Sequence, residues 1–414
     1  MLLKKVTFFF FLALVFCNCA RKTGNLTSPD AILHKLADEY AQKYIITDGH
    51  VDLPYRLKVK NFQMTREYLG IPAQSQEGDF DYVRAKKGGL DAPFMSIYIP
   101  ASYQLNGQAK VFADSLINLV RGVAQTSPDK FRVAVSPDEV EANTRQGLIS
   151  LPMGMENGAP IMDNLNNVRY FYDRGIRYIT LTHSKDNQIC DSSYDTTQTW
   201  HGLSSFGEKV VMEMNRVGIM VDVSHVSDST FYDVMKITKV PVIASHSSCR
   251  YFTPGWQRNM NDDMLKALAK NGGVIQINFG STFLDSKVKA YNDKKRVEYL
   301  DLLKNKGLKP QDEAAKPIEE EFKRKNPNLY ADVKTVADHI DHVVKLAGID
   351  HVGIGSDFDG VGDSLPTGLK DVSQYPNLIY ELLKRGYKEE DIAKICYQNV
   401  FRVWRATERY AKGK

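Results

Sequence analysis

The chain has 414 residues, 43% of them hydrophobic, with 54 Lys and Arg against 50 Asp and Glu. That length and apolar content suffice for one large core, and no second full domain is required. Charge is nearly balanced and no basic block is interleaved with aromatics, which argues against a nucleic-acid surface.

Lys4 and Lys5 precede an apolar run from Val6 to Phe16, too short to span a bilayer, and Cys17-Asn18-Cys19-Ala20 follows. Residues 1–19 therefore read as a secretory signal of the lipoprotein kind, with Cys17 or Cys19 lipidated. Phe16 and Asn18 stand where small residues are usual. Losing Lys4 and Lys5 takes the formal charge from +4 to +2, too little to hold the chain to a membrane by charge. The expected location is the cell envelope, periplasmic or surface, through a lipid anchor. Cys190, Cys249 and Cys396 remain, an odd and scattered set without zinc-finger spacing, and read as free or buried thiols. Cys249, three residues past His246, retains the option of ligating a metal.

Residues 20–43 form a polar tether and a helix opened by Ser28-Pro29-Asp30. The body, 44–410, carries eight short apolar runs separated by helical patterns: Tyr44 to Thr47, Phe94 to Ile99, Leu148 to Met155, Tyr178 to Thr182, Ile219 to Val223, Val240 to Ser245, Val274 to Phe279 and Val352 to Ser356. Strands alternating with helices predict a parallel sheet, and eight units predict an α/β fold of the closed (β/α)8, TIM-like type. Between the last two runs, about 281–333 is rich in Lys and Glu and reads as a solvated helical insertion. A helix from Val333 to Leu346 is expected to end on Gly348 as a left-handed cap, with closing helices over Tyr375 to Lys384 and Glu389 to Trp404.

In such a barrel, chemistry sits where strands end. Those positions hold His50 and Asp52, then Glu156, His183, His225, His246, Asn278 and Asp357, while the second run has nothing comparable. His50 and Asp52 are two apart on an extended segment, so both can face one cation, although Asp48-Gly49-His50 alone also reads as a turn. Glu156, flanked by glycines, can bridge two metals or be a solvated loop residue. His225 and His246 follow consecutive strands and can share an ion, with Asp222 and nearby serines behind them. Asp357 can act as general base, and Asp359 holds the turn. His183 can ligate metal or polarise a carbonyl, and positioning is preferred because the other groups already serve two metals. His34, His201, His339, His342 and His351 lack strand-end placement and read as structural or surface groups. No serine-nucleophile elbow, phosphate loop or dinucleotide fingerprint competes.

Asp48-Gly49-His50-Val51-Asp52-Leu53-Pro54, Met155-Glu156-Asn157-Gly158, Leu181-Thr182-His183, Asp222-Val223-Ser224-His225, Ser245-His246-Ser247-Ser248 and Ser356-Asp357-Phe358-Asp359-Gly360, in this order, resemble the membrane (renal-type) dipeptidases, from about Ile45 to Trp404. The resemblance implies an amidohydrolase-like barrel with two zinc ions. His50, Asp52 and Glu156 would hold the first, and Glu156, His225 and His246 the second. A hydroxide bridging the metals would attack the peptide bond of a dipeptide. By the same resemblance His183 is catalytic and contacts the scissile region, Asp357 is the catalytic proton carrier beside the substrate, and Arg258, in Gln257-Arg258-Asn259, receives the substrate carboxylate. Without the resemblance Arg258 reads as a surface arginine. The segment Ser184 to Trp200 and the phenylalanine in Phe279-Gly280, where a tyrosine is expected, depart from the animal enzymes and leave side-chain and L/D preference open. A homodimer is possible, as in the family. The alternatives are a binuclear barrel hydrolase of a lactam, lactone or cyclic amide, and an inactive lipid-tethered binding protein.

Overall fold

The computed structural model describes residues 28–59, 74–75 and 77–413. The expected leader and most of the tether lie outside the described residues. Eight strands form one sheet in the order β1 (Ile46–Val51), β2 (Leu90–Tyr98), β5 (Met153–Glu156), β6 (Ile176–Thr180), β7 (Met220–Asp222), β8 (Ile243–Ser247), β9 (Val274–Ile277) and β10 (Val352–Ile354). Every neighbouring pair is parallel. The ring closes between β1 and the segment after β10: Val51 bridges Phe358, the Asp52 amide donates to the Phe358 carbonyl at 2.8 Å, and the Asp357 amide to the His50 carbonyl at 3.1 Å. The buried carboxylate of Asp48 sews this seam. It accepts the amides of His50 (3.0 Å) and Ser356 (2.9 Å) and the hydroxyl of Tyr375.

The predicted third run divides at Pro152. Ile149–Leu151 (β4) turns aside to pair with Phe131–Val133 (β3), a strand the sequence reading did not include, and only β5 enters the barrel. β1 and β8 extend further than expected, so His50 and His246 lie within strands rather than beyond them. Inside the barrel, Phe94, Tyr178, Met220, Ile243 and Val274 pack against Val400, Phe401 and Trp404 of the closing helix Asn399–Lys412. Gly154 is required there, because a Cβ would stand 2.0 Å from the Tyr178 ring. A larger apolar layer fills the space between strands and outer helices.

Ser28 caps the helix Pro29–Lys43 as expected, its Oγ accepting the Ala31 amide at 3.2 Å. The insertion forms helices Ser281–Leu284, Ser286–Asn305 and Lys316–Lys325, with i,i+4 pairs such as Lys323–Glu319 at 2.6 Å and Lys325–Glu321 at 2.7 Å. Gly348 is not a left-handed α cap. At φ 91° and ψ 162° it occupies a region essentially reserved for glycine, and the helix Val333–Ala347 stops there. The last predicted helix contains a π-turn, Lys394–Gln398, between Glu389–Ala393 and Asn399–Lys412. Cys190, Cys249 and Cys396 are buried free thiols, and Cys249 Sγ faces the His339 carbonyl at 3.6 Å.

Candidate active site

The strand ends converge on Glu156. Its Oε2 lies 3.3 Å from His50 Nε2, and its Oε1 lies 3.2 Å from His225 Nε2, 3.3 Å from His246 Nε2 and 3.5 Å from His183 Nε2. His50 Nε2 is also 3.6 Å from Asp52 Oδ2. One carboxylate therefore offers one oxygen to His50 and the other to three further imidazoles. Three overlapping sets each bring their donor atoms within 4.8 Å: His50, Glu156 and His246; Glu156, His183 and His225; His50, Asp52 and Asp357. All are buried except His183, which is partly open. The expected ligands come together, with His183 beside Glu156 and His225 and Asp357 beside His50 and Asp52.

Two imidazoles have their tautomers fixed from behind. The Tyr178 hydroxyl donates to the Gly49 carbonyl at 3.0 Å, so it accepts from His50 Nδ1 at 2.8 Å, and His50 turns its Nε2 to the centre. The Ser245 hydroxyl donates to Asp222 Oδ2 at 2.6 Å and accepts from His246 Nδ1 at 2.7 Å, with the same consequence. Asp222 is held by Thr180 Oγ1 at 2.5 Å and by the amides of Ser224 (3.0 Å) and Ser245 (2.9 Å). Burial, reinforced by Arg258 at His225 and by His50 at His246, holds both these imidazoles well below the usual pKa. They are neutral donors. Burial opposes ionisation of Glu156, but the neighbouring His50 and His183 hold its pKa well below the carboxylate range.

His50 Nε2 and Asp52 Oδ1 are buried and have no hydrogen-bond partner. An imidazole nitrogen and a carboxylate oxygen without partners, beside the neutral His225 and His246 and the carboxylate of Glu156, suit a divalent cation with nitrogen and oxygen preference, so the residues present fit a metal centre. The backbone is strained at its rim: Asn157, His225 and Asp357 have φ of 82°, 67° and 64°. Asp357 Oδ2 accepts from Asn278 Nδ2 at 2.7 Å, and burial raises its pKa, with His50 opposing and Asp52 and Glu156 adding. Asp359, expected to hold the turn, reaches outside it, pairing with Arg56 at 3.2 Å and accepting the Asp79 amide at 2.7 Å.

Arg258 is not a surface residue. It is 2% exposed and lies against His225 and Phe283, donating to Ser247 Oγ (2.9 Å), the His246 carbonyl (2.8 Å) and His225 Nε2 (3.0 Å), while its Nε has no partner. Asn259 anchors its loop through Thr253 and Phe283.

A cavity of about 360 Å³ opens above the centre. Its polar lining includes Asp52, Glu156, His183 and Asp357, and its apolar lining Tyr98, Tyr194, Phe283 and Val361. Sequence reasoning left out Ser96, which donates to Glu156 Oε2 at 3.3 Å, and Tyr98, whose ring centre is 4.8 Å from His183. Both are on β2, where nothing was expected; their spacing of two, on one face of a strand entering the barrel, was the available signal. Tyr178 and Tyr194 were also left out.

An uncharacterized dipeptidase of Schizosaccharomyces pombe is 35% identical over 386 residues, covering 88% of this chain and 81% of that protein. The crystal structure of the probable dipeptidase PvdM from Pseudomonas aeruginosa superposes with a TM-score of 0.77 at 25% identity, covering 92% of this chain and 99% of that one. A metallo peptidase from Rhodobacter sphaeroides, liganded with a phosphinate mimic of the dipeptide L-Ala-D-Ala, shares the fold with a TM-score of 0.72 at 24% identity over 88% of this chain and 99% of its own. Residues 35–414 match the sequence model of the membrane dipeptidases, peptidase family M19, and the protein belongs to that family.

Proposed function

We propose that this metal-dependent dipeptidase works with two zinc ions held by His50, Asp52, Glu156, His225 and His246, and cleaves the peptide bond of free dipeptides. The observation that carries this reading is the division of Glu156, with Oε2 toward His50 and Oε1 toward His225 and His246. Cations held by these residues would supply Lewis acidity, polarising the scissile carbonyl and lowering the pKa of water. Asp357, its Oδ2 fixed by Asn278, takes the proton of the attacking water and passes it to the leaving amine. His183, at the cavity wall beside Glu156, orients the scissile carbonyl. The buried cation of Arg258 provides the positive pole for the terminal carboxylate, which selects dipeptides because a longer chain sets its carboxylate too far from Glu156. The lipoprotein-like leader supports an anchored place in the cell envelope, which labelled-palmitate incorporation tests by failing in a variant lacking Cys17 and Cys19.

The test of function is hydrolysis of L,L and L,D dipeptides, with a dipeptide amide and a tripeptide as controls, before and after chelation, together with the zinc content per chain. Chelator-sensitive cleavage of free dipeptides alone, at two zinc per chain, is the expected result. Equal cleavage of the amide would remove the carboxylate role of Arg258 and favour a lactam or lactone hydrolase, and no turnover of any compound would favour a binding protein.

A further inference from the structure

The cavity is lined by the polar groups Asp52, Glu156, His183 and Asp357 and, among its apolar groups, by the rings of Tyr194 and Phe283. Trp256 joins these two rings from behind, with centroids 6.3 Å from Tyr194 at 69° and 4.9 Å from Phe283 at 31°. Lys289 Nζ stands 4.7 Å from the centre of the Trp256 ring, and Arg258 Cζ 5.3 Å from that of Phe283. The result is an aromatic wall buttressed by two cations.

Tyr194 is 41% exposed, yet its backbone is tightly held. Ser192 Oγ donates to the His183 carbonyl and accepts the Tyr194 amide at 3.1 Å, while the Ser193 amide donates to the His225 carbonyl at 2.8 Å. Asp186 gathers the amides of Ser192 (2.8 Å) and Thr199 (2.9 Å), and Asp191 those of Trp200 and Gly202 (2.9 Å each). The segment is thus fastened to the carbonyls of two histidines of the centre. An exposed aromatic side chain on a backbone fixed this way is a binding surface held ready, because little ordering remains to be done when a ligand arrives.

We propose that Tyr194 and Phe283, backed by Trp256, form the subsite for the side chain of the residue bearing the free carboxylate, and select dipeptides whose C-terminal residue is apolar or aromatic. This rests on the dipeptidase reading and on Arg258 as the pole for the carboxylate. In a dipeptide a single Cα separates the scissile nitrogen from that carboxylate. With the nitrogen above Glu156 and the carboxylate drawn toward Arg258, the side chain on that Cα leaves between them, where Phe283 borders Arg258 and Tyr194 lies 5.8 Å from His225. Burying an aliphatic or aromatic side chain there is worth about 10- to 100-fold in kcat/KM over glycine.

The test is kcat/KM for Ala-Gly, Ala-Leu and Ala-Phe with the C-terminal residue in each configuration, against Leu-Gly and Phe-Gly, for the zinc-loaded full chain and for Phe283→Ala and the milder Phe283→Leu. The expected result is a preference of about 10- to 100-fold for Leu or Phe at the C-terminal position, reduced to within about threefold of glycine in Phe283→Ala and partly kept in Phe283→Leu. A preference residing in the N-terminal residue, or one untouched in both variants, would overturn the proposal. The amides of Ala-Gly and Ala-Leu separate the two readings. If amides are cleaved as well as acids, the Arg258 assignment falls, and the Leu-to-Gly ratio among the amides still reports on the wall.

Discussion

At the scale of single residues, the groups behind the candidate ligands matter as much as the candidates themselves. Tyr178 accepts from His50 Nδ1 only because its own proton is committed to the Gly49 carbonyl. Tyr178→Phe removes that acceptor, leaves a buried N–H without a partner and frees the ring to take the other tautomer, whose Nε2 cannot ligate. The fold should survive, since the ring still packs against Gly154 and Phe94. The expected outcome is a metal affinity lower by about 10- to 100-fold, with activity recovered at excess zinc. Loss of activity that zinc titration does not restore would place Tyr178 in the chemistry instead of behind His50.

At the scale of elements, the pairing of β1 with β2 contains a buried charge that the site does not use. Asp91, 8% exposed, accepts the Ile46 amide at 3.4 Å. Burial pushes its pKa from 3.8 up to about 6, with Lys86 and the Ile46 amide opposing. The folded chain therefore holds this proton more tightly than the unfolded chain, and the stability it contributes below pH about 4 is lost as pH rises through about 6. Asp91→Asn keeps an acceptor and has no proton to lose. It should match the parent below pH about 4 and exceed it at pH 7 to 8 by on the order of 3 kcal/mol in urea unfolding. A parent whose stability rises between pH 4 and 6 relative to the variant would show that the carboxylate is favourably paired. The same strands show what the sequence made legible. Apolar runs between helical patterns revealed all eight barrel strands, and their ends revealed His50, Asp52, Glu156, His225, His246 and Asp357, because a parallel barrel sends every strand the same way. The departure of β4 to pair with β3 was hidden in a run continuous in hydrophobicity across Pro152. Tyr178 could not be found because its partner lies 128 residues away. Tyr194 could not be found because its segment is organised by Asp186 and Asp191, which have the local look of any polar loop.

At the scale of the molecule, the candidate centre draws donors from β1, β5 and β8 and from the segments after β1, β7 and β10, so bound cations tie distant parts of the ring together. The ring nevertheless has its own closure. Asp48 collects the His50 and Ser356 amides and the Tyr375 hydroxyl with protein groups alone, and Trp404 and Phe401 plug the interior from the opposite end. Stripping the metal should therefore leave a folded barrel of unchanged far-ultraviolet circular dichroism, but a less stable one. Ligand that binds only the folded chain stabilises it by about 4 kcal/mol at a thousandfold excess over Kd, which in a chain of this size corresponds to a fall of roughly 5 °C in Tm on chelation. The loss should be regained in proportion to the logarithm of free zinc, and His246→Ala should blunt the gain because it removes a donor shared through Glu156. A Tm indifferent to chelation, with activity abolished, would mean that the metal is held by one local group of ligands and does not brace the ring. Unfolding on chelation would mean that the Asp48 seam is too weak to close the barrel unaided.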